Sequence, residues 1–250
     1  MSDFAGANIL ITGAASGIGA ATATLLAAEG VKKLILVDLD EDRLRDFAFT
    51  LPCERQIIIG DVTDEQLWVN ADLTGLSHAV VNAGIAAASP IVDTSFAEWR
   101  RVLSVNLDGA FLTLQAAMKA MQGAGGAIVL TASAAGVKAE PGIGAYASSK
   151  AAVIQLARVA AKEGAAARIR VNAIAPGGVE TRIWHELPAF HTMAEKEGEQ
   201  AAFDAMAKVG TPLGHFAQPE EIAGQIAFLL SDRAAYITGA CLVSDGGYSL

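Results

Sequence analysis

Two side chains with complementary chemistry, Tyr146 and Lys150, lie about one helical turn apart in the segment Tyr-Ala-Ser-Ser-Lys. Residues four positions apart share one face of a helix. A neighbouring ammonium group favours the ionised form of a phenol, so the lysine is expected to lower the tyrosine pKa and make the phenol a useful general acid or base. The alternative is a tyrosine packed in the core beside a solvated lysine.

Ser133 and Asn106 are two further polar residues that could complete such a site. Ser133 follows an apolar run that we interpret as a strand, and its hydroxyl could bind a carbonyl oxygen while the phenol protonates it. An ordinary turn serine is the alternative. Asn106 lies inside a long helical region, where asparagine is unfavourable. This position indicates either a kinked helix holding a water molecule or a surface asparagine.

A glycine-rich turn joins the first predicted strand to the first predicted helix, with the spacing Gly13-x3-Gly17-x-Gly19 and with Ser16 and Ile18 inside it. Glycine allows the backbone to approach a pyrophosphate group, and the following helix N-terminus presents free N–H groups. A tight strand–helix turn alone would also favour glycine. The motif therefore predicts a dinucleotide site only together with other signals.

Asp38 ends the second predicted strand. An acidic side chain at this point can accept hydrogen bonds from the ribose hydroxyls of adenosine, and it would repel a 2′-phosphate. Neither Ser16 nor Leu39 offers a positive charge to such a phosphate. The sequence therefore favours NAD over NADP as the cofactor.

Polar residues also follow the third and fourth predicted strands, on the side of a parallel sheet where ligands bind. Asp61 and Val62 come after the third strand, and Asn82-Ala83-Gly84 comes after the fourth. Asp61 could hold the adenine amino group, or it could cap the next helix.

Short β-branched runs alternate with longer Ala- and Leu-rich stretches along the whole chain. The predicted strands are Asn8–Thr12, Lys33–Val37, Gln56–Ile59, Ala79–Asn82, Ala127–Thr131, Arg170–Ala175 and Cys241–Val243. The predicted helices are Ile18–Glu29, Glu41–Phe49 with Asp40 as its cap, a region from Ser95 to about Gln122, Ala145–Gly164, and one beginning at Pro219. The strands are almost continuously apolar, which is typical of a parallel sheet covered on both faces. We therefore predict an α/β fold with a doubly wound parallel sheet flanked by helices on both faces.

We interpret residues 1–250 as a single domain, because no repeat, linker or change in composition divides the chain. The segment 184–218 contains no strand pattern and is too long for a simple connection. We predict that it forms a mobile lid or substrate lobe, the alternative being two surface helices. Its apolar residues are expected either to line a substrate pocket or to pack the lobe on the body; they are Trp184, Leu187, Phe190, Phe203 and Met206.

Composition and charge exclude several classes of protein. Hydrophobic residues make up 52% of the chain, which excludes a disordered protein, and the net charge of −9 argues against a nucleic-acid partner. Cys53 and Cys241 are too few for a disulfide scaffold and favour a reducing compartment. We expect no membrane span and no cleaved leader, hence a cytoplasmic location. His185 and His191 show no metal-ligand spacing, so we expect no metal site.

Together these motifs resemble those of the short-chain dehydrogenase/reductase family over essentially the whole chain. The matching elements are Thr12-Gly13-x3-Gly17-Ile18-Gly19, Asn82-Ala83-Gly84, Asn106, Ser133, Tyr146-x3-Lys150 and Pro176-Gly177-x-Val179-x-Thr181. The resemblance implies a Rossmann-like fold, a nicotinamide cofactor, catalysis without a metal, and homotetramers or dimers built through the long helices.

The resemblance also implies roles for individual residues. Tyr146 would be the general acid/base, and Lys150 would lower its pKa and bind the nicotinamide ribose. Ser133 would orient the substrate oxygen, Asn106 would hold a water molecule linking Lys150 to solvent, and Thr181 would bind the carboxamide. The chain departs from the family pattern at Val81, where a second asparagine is common, and in the short stretch before His78.

The function expected on these grounds is an NAD-dependent oxidoreductase that interconverts a secondary alcohol and a ketone, with an apolar small molecule as substrate. One alternative is a 3-oxoacyl-acyl-carrier-protein reductase, although such enzymes usually prefer NADPH and need a basic patch for their acidic carrier. The other is a catalytically silent dinucleotide-binding sensor, which the presence of Ser133, Tyr146 and Lys150 argues against.

Overall fold

The computed structural model describes residues 3–250, within which seven strands form one parallel sheet. The strands are β1 (Asn8–Thr12), β2 (Lys33–Asp38), β3 (Glu54–Ile59), β4 (His78–Val81), β5 (Gly126–Thr131), β6 (Ile169–Pro176) and β7 (Cys241–Ser244). Their order across the sheet is β3-β2-β1-β4-β5-β6-β7. The order reverses between β1 and β4, which is where ligands bind in doubly wound sheets.

Helices cover both faces of this sheet. They are α1 (Gly17–Ala28), α2 (Glu41–Phe49), α3 (Glu65–Asn70), α4 (Phe96–Leu103), α5 (Gly109–Ala120), α6 (Gly144–Gly164), α7 (Pro188–Glu197), α8 (Glu199–Gly210) and α9 (Pro219–Leu230). Buried side chains of α1, α2 and α9 pack on one face, and those of α3, α5 and α6 pack on the other. The predicted fold class is therefore confirmed.

Strand β1 shows why the strands of this sheet are unbroken apolar runs in the sequence. Ile9 and Ile11 belong to the core under α1 and α9, whereas Leu10 belongs to the core under α5 and α6. All three side chains are fully buried. Because each face carries its own layer of helices, neither face of the strand needs polar residues.

The predicted elements are present, with ends that differ by one or two residues. Asp40 caps α2 by accepting a hydrogen bond from the Arg43 N–H at 3.1 Å, and Ser95 caps α4 in the same way from Glu98. The region from Ser95 to Gln122 is not one regular helix, because the π-helical turn Ser104–Asp108 separates α4 from α5. The short stretch before His78 still accommodates the six-residue helix α3.

Residues 182–216, which we call the lobe, leave the sheet after β6. They contain the 3₁₀ turn Arg182–Glu186 followed by α7 and α8, and they rejoin the body where Ala217 pairs with Val179. The lobe has its own small core of buried residues, Phe190, Ala202, Phe203, Ala207 and Phe216. Trp184 stacks on Phe216 with ring centres 5.0 Å apart. The interpretation of Phe190 and Phe203 as pocket wall is therefore wrong: both are buried inside the lobe.

Candidate active site

A cavity of about 600 Å³ opens at the carboxyl ends of the strands, between the body and the lobe. This volume is in the usual range for a ligand site. Two predicted site residues, Gly19 and Asn106, lie behind the cavity wall. The other predicted residues all line it: Gly13, Ser16, Gly17, Ile18, Asp38, Asp61, Val62, Asn82, Ala83, Gly84, Ser133, Tyr146, Lys150, Pro176, Gly177, Val179 and Thr181.

The glycine-rich turn has no room for side chains. Gly13 has a φ of +65°, and a Cβ at Gly19 would overlap the carbonyl oxygen of Gly13. The Asn82 amide, arriving from β4, donates to the Thr12 carbonyl at 3.2 Å and so fixes the turn. Ser16, the N-cap of α1, makes no side-chain capping hydrogen bond. The first N–H groups of α1 are thus available to a ligand, and this cradle fits a pyrophosphate.

Asp38 is held at the far end of the cavity by backbone groups. Its Oδ2 accepts from the Ala15 N–H at 2.9 Å, and its Oδ1 accepts from the Asp40 N–H at 3.1 Å. The neighbouring Leu39 is 70% exposed and offers no positive charge. The structure therefore fixes a carboxylate where the sequence predicts the adenosine ribose.

Asp61 lines the same end of the cavity. Its Oδ1 accepts a hydrogen bond from the Thr63 N–H at 2.9 Å, whereas Asp64 caps α3 through the Gln66 N–H at 2.9 Å. The alternative interpretation of Asp61 as a helix cap is therefore wrong. One carboxylate oxygen of Asp61 has no backbone partner in this turn.

The N-terminal half of α6 carries Tyr146 and Lys150 into the cavity wall. The Tyr146 side chain is partly accessible from the cavity, and Ser133 lies beside its hydroxyl and acts on the pKa of the phenol. Ser133 in turn accepts from the Ala135 N–H at 3.2 Å, which fixes the serine oxygen. The buried Lys150 Nζ donates to the Thr131 carbonyl at 3.0 Å and lies 5.8 Å from the centre of the Tyr146 ring. The hydroxyls of Tyr146 and Ser133 and the ammonium group of Lys150 therefore lie in the same part of the cavity wall.

The electrostatics of this group differ from the sequence prediction. Burial raises the pKa of Tyr146, the hydrogen bond from Ser133 opposes this, and the negative charge of Glu186 raises it further. Burial also lowers the pKa of Lys150 to about 8. In the ligand-free protein the pKa of Tyr146 is therefore raised and not lowered, because the loss of solvation outweighs the other effects on the enclosed phenol. That Lys150 lowers the tyrosine pKa stays a prediction.

Asn106 lies in the π-helical turn and is 1% exposed, so the interpretation as a surface asparagine is wrong. Its Oδ1 accepts from the Ile85 N–H at 2.8 Å, and its Nδ2 donates to Ser149 Oγ at 3.1 Å. A Cβ at Gly84 would lie 3.1 Å from Asn106 Oδ1 and 3.2 Å from Lys150 Nζ. Asn106 therefore joins the loop after β4 to α6 directly behind Lys150, and its role with a water molecule stays a prediction.

Sequence reasoning missed several residues of the site. Arg182 lines the cavity directly after the Thr181 motif, a position that could have identified it. Glu186 accepts from the Ala86 N–H at 3.1 Å, and Tyr248 reaches the cavity from the end of the chain. No local pattern marks either residue, because distant segments bring them to the site. Thr131 also lines the cavity, and its buried Oγ1 has no hydrogen-bond partner in the protein.

Two classes of feature are absent from residues 3–250. No group of three or more His, Cys, Asp or Glu residues there could hold a metal ion. His185 instead lies 3.1 Å from Glu199, and His191 lies 3.6 Å from Glu195. In the same part of the chain, no helix has the length and apolar character needed to cross a membrane.

Comparisons with known proteins agree with this geometry. A family profile described as "Enoyl-(Acyl carrier protein) reductase" matches residues 13–249. The chain is 39% identical to cis-4-hydroxycyclohexanecarboxylate dehydrogenase of Sinomonas cyclohexanicum, over 96% of this chain and 95% of the relative. It is 38% identical to a 3-oxoacyl-acyl-carrier-protein reductase of Thermotoga maritima, over 95% of this chain and 96% of the relative.

A solved structure shares the fold throughout. A short-chain type dehydrogenase/reductase from Mycobacterium marinum superimposes with a TM-score of 0.88 and 33% identity, covering 99% of this chain and 97% of that one. The predicted membership is confirmed by these matches together with the cradle, the strand order and the motif set. The chain belongs to the short-chain dehydrogenase/reductase family of oxidoreductases, which use a nicotinamide dinucleotide, NAD or NADP.

Proposed function

We propose that this protein is an NAD-dependent dehydrogenase that interconverts a secondary alcohol on an apolar ring and the corresponding ketone. The observation that carries the proposal is the pair of Tyr146 and Ser133, which lines the same cavity as the glycine cradle. One pocket therefore offers a proton-transferring group beside a place for a dinucleotide.

The residues around the cavity divide the binding of the cofactor among them. The turn Gly13–Gly19 with the N-terminus of α1 would hold the pyrophosphate, and Asp38 and Asp61 would hold the adenosine end. Lys150 would bind the nicotinamide ribose, and Thr181 the carboxamide. When bound, the nicotinamide ring takes up a hydride during alcohol oxidation and supplies one during ketone reduction.

The protein's own groups handle the proton. In the oxidation direction, Tyr146 in its phenolate form accepts the proton of the substrate hydroxyl on Oη, while Ser133 Oγ hydrogen-bonds the same oxygen. In the reduction direction, Tyr146 Oη returns that proton to the forming alkoxide. Lys150 keeps its charge at neutral pH, since its pKa of about 8 is above 7, and this charge favours the phenolate as the proton leaves.

The preference for NAD rests on the fixed carboxylate of Asp38. A 2′-phosphate would meet this negative charge, and the cationic side chains that line the cavity, Lys150 and Arg182, belong to its other regions. The charge cannot swing away easily, because two backbone N–H groups hold it.

The proposed substrate class rests on the wall opposite the cradle. Trp184, Leu187, Met206 and Phe216 supply apolar surface from the lobe. The Sinomonas relative is named for a hydroxylated cyclohexane ring, and such a ring suits an apolar wall of this kind. A second candidate is 3-oxoacyl-acyl-carrier-protein reduction, which the Thermotoga relative favours and the fixed Asp38 disfavours.

We also propose that the protein is cytoplasmic and forms a homotetramer, with a homodimer as the alternative. Phe96 on α4, Phe111 on α5 and Val159 on α6 are exposed apolar side chains on the outer helices, and a partner copy would cover them. Cys53 and Cys241 are both free thiols, which suits a reducing compartment.

The test compares Tyr146→Phe with the wild type on a panel of cyclic secondary alcohols, with NAD and NADP supplied in parallel. Removing the transferable proton should lower turnover by roughly 10²–10⁴-fold. NADH affinity, measured by fluorescence, should change little, because Tyr146 has no assigned role in holding the pyrophosphate or adenosine. Tyr236→Phe, at a fully exposed position, is the matched control and should behave as wild type.

A Tyr146→Phe enzyme that retains most of its turnover would overturn the mechanism, and equal kcat/KM values with NAD and NADP would overturn the cofactor preference. Asp38→Asn combined with Leu39→Arg should move the preference towards NADP. The asparagine keeps an oxygen for one backbone N–H while it removes the charge.

A further inference from the structure

The last residues of the chain reach the substrate end of the cavity, where Tyr248 lines the wall. Asp245 shapes this segment by accepting hydrogen bonds from the N–H groups of Gly247 at 2.9 Å and Ser249 at 2.8 Å. The Gly246 carbonyl accepts from the Leu213 N–H at 3.1 Å, at the end of the lobe. The segment therefore fills the seam between the lobe and the body.

Lys138 and Glu140 hold Tyr248 from the opposite side. Lys138 Nζ donates to the Tyr248 carbonyl at 2.8 Å, lies 4.2 Å above the centre of its ring, and pairs with Glu140 at 3.2 Å. The Tyr248 hydroxyl lies beside the Glu140 carboxylate, so that each group shifts the pKa of the other. We call Lys138, Glu140 and Tyr248 the tail clamp. Lys138 thus holds the backbone end of Tyr248, and Glu140 lies at its hydroxyl end.

The tail clamp also acts on the loop that carries Ser133. Lys138 and Glu140 follow the 3₁₀ turn Ala134–Gly136, whose N-cap is Ser133. A Cβ at Gly136 would lie 2.7 Å from the backbone of Lys150, so this turn packs tightly against α6. The clamp joins the chain terminus to the loop that positions the serine hydroxyl beside Tyr146.

We propose that Tyr248 is a specificity-determining residue and that Lys138 and Glu140 are the positioning residues that hold it at the substrate end of the cavity. Because its hydroxyl lies beside Glu140, the side chain offers mainly its ring to the cavity. With Trp184 and Phe216, it completes an apolar wall suited to a neutral ring-shaped substrate. The kinetic part of this proposal rests on the proposed function, whereas the clamp itself does not.

A spectroscopic titration tests the clamp without any substrate. Burial and the charges of Glu140 and Asp245 raise the pKa of Tyr248 to about 12, with the hydrogen bond to Glu140 contributing. In Glu140→Gln, the absorbance change of tyrosinate formation should shift to lower pH for one tyrosine. Tyr248→Phe should remove that titration step altogether. A titration curve of Glu140→Gln that matches the wild type would overturn the clamp.

Kinetics with a bulky and a small cyclic alcohol test the specificity role. Tyr248→Ala should raise KM for the bulky alcohol by about tenfold while NADH affinity and kcat change by less than about threefold, since the cradle is at the other end. Lys138→Met should raise the same KM, and Lys138→Arg should restore part of the loss. The double variant Lys138→Met/Tyr248→Ala should be no worse than Tyr248→Ala alone.

Additive losses in the double variant would show that the lysine does not act through the tyrosine, and the proposal would fail. Tyr236→Ala is the matched control, because that side chain is fully exposed, and it should leave both KM values unchanged. If the wild type oxidises no alcohol at all, the proposed function fails, and the titration still decides whether the clamp exists.

Discussion

The end of the cavity proposed to bind the cofactor, the cofactor end, is held mainly by backbone groups. The end proposed to bind the substrate, the substrate end, is held by side chains packed on one another. At the first, Gly13 and Gly19 touch with no space for a Cβ, and the Asn82 amide fixes the turn through a carbonyl. At the second, Trp184 packs on Phe216, and Phe190 packs on Phe203 with ring centres 4.7 Å apart.

This difference explains what each end can tolerate. A backbone cradle depends on residues without side chains, so a single added methyl group disturbs it. A cluster of rings accepts other apolar residues of similar volume at modest cost. Changes of substrate are therefore expected to arise in the lobe and the tail clamp, while the cofactor end stays constant.

The largest effect on ligand affinity is expected from Gly19→Ala. The new Cβ would overlap the Gly13 carbonyl oxygen and press on the Asn82 amide, so the turn must open. We expect NADH affinity to fall by about 100-fold or more, corresponding to about 3 kcal/mol. Fluorescence titration with NADH measures this, and circular dichroism confirms that the fold is retained.

Gly224→Ala is the matched control for that variant. Gly224 lies in α9, and a Cβ there meets nothing within 4 Å. Replacing a helical glycine by alanine should stabilise the protein by about 1 kcal/mol without changing NADH affinity. If both variants bind NADH equally well, the cradle does not depend on its glycines, and the proposed difference between the two ends of the cavity is wrong.

Phe190→Ala tests the substrate end. Its side chain is fully buried in the core of the lobe, and loss of such a ring costs about 3–5 kcal/mol. Because the lobe has its own core, we expect local opening of residues 182–216 rather than global unfolding. Hydrogen exchange should accelerate in the lobe, and KM for the alcohol should rise while NADH affinity stays within about threefold of the wild type.

Phe49→Ala removes the same ring from a position that is 82% exposed, so it should change neither the exchange rates nor KM. Should Phe190→Ala weaken NADH binding as strongly as Gly19→Ala does, the two ends of the cavity would not be independent.

The smallest of these effects concerns the body of the sheet, away from both ends. Burial lowers the pKa of His78 on β4 from 6.5 to about 4. The unfolded chain therefore takes up this proton first, so the contribution of His78 to stability is complete above pH 6.5 and is lost as the pH falls through 4. The loss amounts to at most about 3 kcal/mol.

Urea unfolding at pH 7 and pH 4.5 measures this contribution. His78→Gln should reduce the difference in the free energy of unfolding between the two pH values. If the difference in the free energy of unfolding is the same in His78→Gln as in the wild type, groups other than His78 cause the acid sensitivity. Exchange in the lobe should respond less to this pH change than exchange in β1 and β4, which sharpens the distinction between lobe and body.

The elements of the sheet and the cofactor end were predictable from local sequence. Apolar runs such as Ile9–Ile11 predict strands because both faces are covered, and the glycines mark the one turn where side chains do not fit. Asp38 was identifiable because it ends β2, the strand beside β1, on the side of the sheet where ligands bind.

The substrate end was not predictable in the same way. Phe190 and Phe203 have the composition of a pocket wall, and only their packing shows that they face one another instead. Lys138, Glu186 and Tyr248 meet partners that are distant in the chain, and no spacing in the sequence records these contacts. The raised pKa of Tyr146 depends on enclosure, which the pattern Tyr-x3-Lys does not describe.

The π-helical turn between α4 and α5 has a consequence for how this chain can evolve. The Gly109 N–H reaches back to the Ser104 carbonyl, one residue further than in an α-helix. Each residue of an α-helix rotates the chain by about 100°, so deleting one residue within α4 or α5 would turn every later side chain to a new direction. The wider π turn takes up its extra residue without that rotation. Substitutions from Phe96 to Ala120 are therefore expected to accumulate freely on exposed positions, whereas insertions and deletions in that stretch should be eliminated by selection.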